Sequence, residues 1–333
     1  MLARLRIDPF LLTLLAVLAF ATLLPARGAF AGYLDIVTDA AIALLFFLHG
    51  AKLSRTAIMQ GIGAWRLHLL VLATTYGVFP VLGVGILALT GGVLDRLTAT
   101  GILYLAILPS TVQSSIAFTS MARGNIPAAV CSASLSNILG IVLTPLLATV
   151  LIGSHSADGS FFADAVTSIA TQLLLPFVLG HLARPWLATW IDRYKPLVMR
   201  VDRSVILLVV HTAFSAAVVA DLWGRLSMTE LGVIAAVCVV LLAAVLGFTF
   251  SLARLLGLSH ADEVVLVFCG SKKSLASGVP MAGALFASAD VGLVILPLML
   301  FHQLQLIVCT AIAQRYARRS DILEETNHAL HGA

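Results

Sequence analysis

Apolar runs long enough to cross a bilayer recur along nearly the whole chain, with no long hydrophilic block between them. A helix rises ~1.5 Å per residue, so about 20 apolar residues cover a hydrocarbon core of ~30 Å. In that medium every backbone N–H and C=O must be satisfied internally, and runs of this length satisfy them as helices. Ten spans can be drawn: Ile7–Leu24, Ile36–Leu53, Leu67–Leu89, Thr98–Met121, Ile126–Ile152, Phe162–Ala183, Ser204–Leu222, Glu230–Leu256, Glu263–Ala287 and Val291–Ile312. Only 11% of residues are charged, against roughly 25% in soluble domains. No stretch is left for a separate soluble domain.

The net charge of +4 is a matter of placement rather than of nucleic-acid affinity. In the ten-span layout 15 basic residues fall on one side, among them Arg4, Arg66, Arg123, Arg184, Lys195, Arg254 and Arg315. Only Arg27, Arg96 and Arg225 fall on the other, and an intramembrane pair completes the 20. The positive-inside rule then predicts a multi-pass membrane protein with both termini cytoplasmic. Arg4, Arg6, an apolar run and Ala29-Phe30-Ala31 imitate a secretory signal, but nine further spans make this a first membrane helix. Cys131, Cys238, Cys269 and Cys309 lie in apolar segments without metal-ligand spacing and read as small buried side chains. Arg184–Arg203 reads either as an amphipathic surface segment or as a basic loop. The tail 315–333 is polar, and loose order is expected there.

Span nine contains Gly270-Ser271-Lys272-Lys273-Ser274 in an apolar frame, EVVLVFCGSKKSLASGVPMAGALFA. A central lysine costs roughly 2.5–3.5 kcal/mol on the gentlest insertion scale, so two of them mark a functional site. A loop between two spans is excluded, because Val264–Gly270 is too short to cross alone. Span four, LAILPSTVQSSIAFTSMARG, is also interrupted. Pro109 removes a backbone hydrogen bond and crowds the preceding turn, which predicts a break near Leu108–Thr111. Polar Ser110, Thr111, Gln113, Ser114 and Ser115 follow it. Such breaks survive only where the freed backbone faces protein or a wet cavity. Gly270, Gly278 and Pro280 are expected to interrupt span nine.

The broken spans are the fourth of each half in a five-plus-five chain. An odd number of spans per half inverts the second half, and paired broken spans in inverted repeats point to a transporter binding site. The expected fold is all-α integral membrane, ten transmembrane helices in two five-helix inverted repeats, with broken helices four and nine crossing. The expected division is 1–153, 154–314 and a cytoplasmic polar tail 315–333. No residue identity between halves supports the repeat, which is inferred from layout.

The segment Leu108–Leu147 resembles helices four and five of the bile acid:sodium symporter family, and FCGSKKSLASGVPMA (Phe268–Ala282) is similar to that family's ninth helix. LLFFLHGAKLS (Leu44–Ser54) and FHQLQL (Phe301–Leu306) extend the likeness, which is nearest to the divergent bacterial branch called SBF-like. The resemblance implies ten helices divided into a panel and a core domain, with helices four and nine crossing in the core. It also exposes a departure. Phe268 stands where the family's sodium-binding glutamate belongs, Lys272 at a glutamine ligand and Lys273 at its asparagine neighbour. Ser114 and Ser115 match a Ser-Asn pair, Ser136 and Asn137 a Ser-Thr pair, and Thr75 stands in place of a third-helix glutamine. Hydroxyl ligands are largely kept while the carboxylate is lost.

The residues agree with this. Asp164, Asp221, Asp262, Glu263 and Asp290 all sit at span ends. A sodium ion ~4 Å from an ammonium would be repelled by about 4 kcal/mol at an effective dielectric near 20. Two-sodium coupling is therefore not expected. The lysines either replace the cations or bind an anion together with helix N-termini. Burial and mutual repulsion disfavour two adjacent ammonium charges, which leaves proton coupling open. His302, Gln303 and Gln305 form a polar patch on span ten suited to helix–helix hydrogen bonding. His49, His181 and His211 read as structural.

The leading expectation is a secondary transporter of a small organic, anionic solute, needing no cofactor, metal or catalytic residue. Its partners are the bilayer, the solute, and H+ or Na+. An intramembrane hydrolase lacks GxSG, HExxH and mid-span aspartates. A channel lacks repeated charged rings. The alternative is a non-transporting membrane regulator, for ion or calcium homeostasis, built on a transporter fold.

Overall fold

The computed structural model describes residues 9–52, 62–152, 169–221 and 226–331. Among these the chain is helical: α1 (Pro9–Leu23), α2 (Ala29–Lys52), α3 (Trp65–Leu89), α4 (Arg96–Ile107), α5 (Gln113–Met121), α6 (Ile126–Leu151), α7 (Leu175–Arg193), α8 (Lys195–Val219), α9 (Met228–Leu255), α10 (His260–Gly270), α11 (Leu275–Leu285) and α12 (Ser288–His331). Six of them, α2, α3, α6, α8, α9 and α12, are long and apolar enough to cross a membrane. Large apolar side chains remain exposed on most elements, including Leu15, Phe20, Ile36, Val81, Val150, Leu182 and Val240. Scattered so widely, they form a surface suited to lipid rather than water.

Helix starts follow local chemistry. Asp95 accepts from the Leu97 N–H, Asn125 from Ala128 and Ser259 from Asp262, each supplying one of the acceptors a helix N-terminus lacks. Ser227 and Glu230 form a reciprocal capping box on α9. Glu230 also accepts from the Asp95 backbone at 2.9 Å, joining the starts of α4 and α9. Ser288 reaches Asp35 at 3.3 Å. A second group of contacts joins other helix ends: Lys52 with Asp202 at 2.5 Å, Asn125 with Asp262 at 3.1 Å, and Tyr316 with Glu263 at 2.5 Å.

The helices α4 and α8 pack on α12, α1 packs on α8, and α2 packs on α7. The last pair approaches closely because both partners are glycine at the contact. A Cβ at Gly50 would overlap the Phe177 carbonyl, and one at Gly180 would overlap the Phe47 carbonyl.

Some expectations need correction. The helix α11 runs unbroken through Gly278 and Pro280, so the interruption is confined to Ser271–Ser274. The Gly278 N–H still bonds to the Ser274 carbonyl at 2.9 Å, and Pro280 lies inside the helix, where it removes one donor without ending it. The linker Arg184–Arg203 is the end of α7 and the start of α8, parted at Tyr194. The tail expected to be loose continues α12 to His331, since no proline or glycine intervenes before Gly332. The boundary expected at 153/154, the start of span six and Asp164 lie outside the described residues.

Candidate functional site

Pro109 dictates the first break. The residue before a proline is pushed to extended backbone, and Leu108 ends α4 at φ −70° and ψ 155°. Helical pairing stops there and resumes at Gln113, which strands a run of carbonyls in the protein interior. Each finds a partner from elsewhere. Ile107 accepts from Thr144 Oγ1 at 2.9 Å, Pro109 from the Ser274 N–H at 2.9 Å, and Ser110 from Asn137 Nδ2 at 2.6 Å. The Ser110 N–H donates to Ser136 Oγ at 3.0 Å.

The second break answers the first. Ser110 Oγ donates to the Cys269 carbonyl at 2.6 Å and Ser115 Oγ to that of Phe268 at 3.0 Å, serving the C-terminal end of α10. Ser271 turns back on Val267 at 2.6 Å. Ser274 then restarts the helix by capping Ser277, and Ser277 Oγ donates to Asn137 Oδ1 at 2.6 Å. The Ser110, Ser115 and Ser274 hydroxyls thus supply partners that the broken backbone lacks. Pro109 fits against α6 because position 140 is glycine, where a Cβ would meet the proline ring and the Tyr76 hydroxyl.

Two carbonyls of the first break remain, Ala106 and Leu108, and Lys273 takes both, at 2.8 and 2.7 Å. Its third donor goes to the Thr75 carbonyl at 2.9 Å, and the Phe79 ring lies 4.0 Å away. Thr75 is free to accept because α3 widens into a π-helical turn over Thr74–Val78. There the Phe79 N–H reaches Thr74 instead, and the next residue, Pro80, has no N–H. The expected Thr75 position therefore contributes its carbonyl, while its hydroxyl is spent on Val71 at 2.8 Å. The ammonium also lies at the C-terminal, negative end of α4. It is fully buried, and among the described residues no carboxylate pairs with it.

Lys272 lives in the opposite field. It too is fully buried, yet its ammonium makes one long hydrogen bond, 3.5 Å to Ser114 Oγ. The rings of Phe118 and Phe268 lie 4.3 and 5.5 Å away. Phe268, at the position where the resemblance expects a glutamate, thus offers a π face instead of a charge. Ser114 belongs to the first turn of α5, and no side chain caps that helix start. A cation placed beside a positive helix end is poorly matched, whereas an anion there is doubly favoured.

Of the other expected residues, Thr111 joins Ser115 at 3.0 Å and Ser114 at 2.8 Å, and Ser136 and Asn137 hold the first break. Gly270 closes α10 between Thr74 and Thr249. Gln113 is exposed and stands apart from this cluster. Sequence reasoning did not connect Gln305 to the lysines. Its amide accepts from the Lys273 N–H and donates to the Lys273 carbonyl, both at 2.9 Å. It also missed Tyr76, whose hydroxyl donates to the Ser136 carbonyl at 2.6 Å, and Thr144. Pro80 was the available signal for a stranded carbonyl at Thr75.

The profile of the SBF-like CPA transporter family matches residues 8–318. The chain belongs to that family. It is similar to YfeH of Escherichia coli (strain K12), named as a proposed symporter, with 52% identity over 96% of this chain and 95% of that protein. An uncharacterized protein of Pseudomonas aeruginosa, PA2026, is 53% identical over 94% of each chain. Sodium/bile acid cotransporter 7 of Xenopus tropicalis is 28% identical over 92% of this chain and 91% of its own length. This SBF-like protein is therefore a multi-pass membrane transporter by family and not an enzyme.

Proposed function

We propose that this protein is a secondary-active transporter of a small organic anion that works by alternating access, without the family's two-sodium coupling. The observation that carries this reading is the setting of Lys272. A buried ammonium with no carboxylate partner among the described residues, beside an uncapped helix start, α5, presents two positive elements to one point. An anion would be held by Lys272, Ser114 and the first N–H groups of α5. The names of its relatives agree with this solute class: one is a proposed symporter, others are sodium/bile acid cotransporters. Proton exchange at Lys272 is the coupling route that this chemistry leaves open.

The architecture we infer is the ten-helix inverted repeat, 1–153 and 154–314, in which α4–α5 and α10–α11 are the broken fourth and ninth spans. The contacts between helix ends support it. Asp95 with Glu230 and Ser288 with Asp35 join ends that the layout puts outside, while Lys52 with Asp202, Asn125 with Asp262 and Tyr316 with Glu263 join ends it puts in the cytoplasm. Both termini are then cytoplasmic in a bacterial inner membrane.

Uptake into proteoliposomes tests the reading, with radiolabelled taurocholate and a series of short carboxylates as probes. Saturable uptake by the native protein, lost in Lys272→Met, is expected. The absence of flux for every anion, together with specific binding of a cytoplasmic or lipid ligand, would favour the regulator reading instead.

A further inference from the structure

We infer that Lys273 is a tethered cation: its ammonium fills a built-in cation site of backbone carbonyls, and removing the side chain converts that site into one for a free monovalent cation. Three main-chain oxygens, of Thr75, Ala106 and Leu108, converge on one point at 2.7–2.9 Å. They come from two different helices, and the ring of Phe79 closes a further side at 4.0 Å. Carbonyl oxygens so arranged are the ligands a desolvated alkali cation or an ammonium uses.

The cage exists for reasons independent of the lysine. Pro80 denies Thr75 a helical donor, and Pro109 ends α4, whose Ser110 N–H is diverted to Ser136 instead of Ala106. Three buried oxygens are therefore stranded by two prolines and need a positive partner. The end of α4 adds the negative side of its dipole. Gln305 holds the Lys273 main chain from both sides, so the tether has a fixed anchor while its head sits in the cage. In chemical terms the site takes a small monovalent cation with hydrogen-bonding or ion-coordinating capacity, and in this chain the cation is covalently supplied.

The test is thermal unfolding of purified, detergent-solubilised Lys273→Ala against wild type. Sodium, potassium, ammonium and n-butylammonium chlorides are titrated at constant ionic strength, with tetramethylammonium making up the balance. Lys273→Ala should melt several degrees below wild type and regain much of that loss, saturably, with n-butylammonium or with one of the small cations. Wild type should not respond, and tetramethylammonium, which has no N–H and is too wide for the cage, should not rescue. Equal melting of the variant and wild type, or a variant indifferent to cation identity, would overturn the inference. If Lys273→Ala yields no folded protein in any salt, Lys273→Gln decides. Its amide can donate to the carbonyls without charge, so wild-type stability in that variant would show that hydrogen bonding alone suffices and sink the cation site. A lower melting point raised by ammonium supports it. The readout is stability, so it stands or falls separately from the identity of the transported solute.

Discussion

Gln305 grips Lys273 by its main chain, accepting from its N–H and donating to its C=O at 2.9 Å each, in the manner of one more residue of a sheet. The residue between the two half-helices α10 and α11 is thereby fixed to α12, and His302 braces the amide at 2.8 Å. Gln305→Leu leaves one buried N–H and one buried C=O without partners, at about 1–3 kcal/mol each. We expect a clear fall in melting temperature, measured by intrinsic fluorescence, while His302→Ala changes it much less. A Gln305→Leu protein as stable as wild type would remove the clamp from the argument.

The lysines should respond differently to the same change. Lys272→Met relieves the roughly 2.5–3.5 kcal/mol cost of a central ammonium and loses only a long hydrogen bond and ring contacts, so it should be as stable as wild type or more so. Lys273→Met gains the same relief but strands three carbonyls at about 1–3 kcal/mol each, so it should be less stable. Anion uptake should vanish in Lys272→Met. Lys272→Arg should also fail, because guanidinium keeps its proton and needs a wider, planar site. Parallel behaviour of the two methionine variants in stability would contradict the division of roles.

Sodium should matter little. With Phe268 buried beside the Lys272 ammonium, and among the described residues no carboxylate at the breaks, replacing sodium by potassium at constant ionic strength should leave uptake nearly unchanged. A steep, saturable sodium requirement would mean that Ser114, Ser115 and Asn137 suffice as ligands.

Gly180→Ala tests the packing of α2 on α7. Its Cβ would overlap the Phe47 carbonyl, a backbone atom that cannot swing aside. We expect a cost of about 1–3 kcal/mol from overpacking, seen as a lowered melting temperature. Ala at Gly247, which has open space around its Cβ position, should be neutral or slightly stabilising.

Topology can be read with reporter fusions. Reporters after Ala333 and within Arg184–Arg203 should report cytoplasm, and reporters at Gly91–Gly92 and Ser288–Asp290 the opposite side. A C-terminus outside the cytoplasm would put the span count wrong by one.

Much of this was legible along the chain because it is local. Hydropathy marks apolar helices, and Pro109 breaks a helix wherever the helix packs. Phe268, where the resemblance implies a glutamate, is likewise a matter of one position. The sequence could not distinguish Lys272 from Lys273, which are adjacent, identical and equally buried. Their difference lies in where a non-helical break aims successive side chains. One head reaches carbonyls 165 to 198 residues away, at a negative helix end, and the other meets the uncapped start of α5. Stranded backbone groups have no residue type of their own, so only the tertiary structure decides which charge they neutralise.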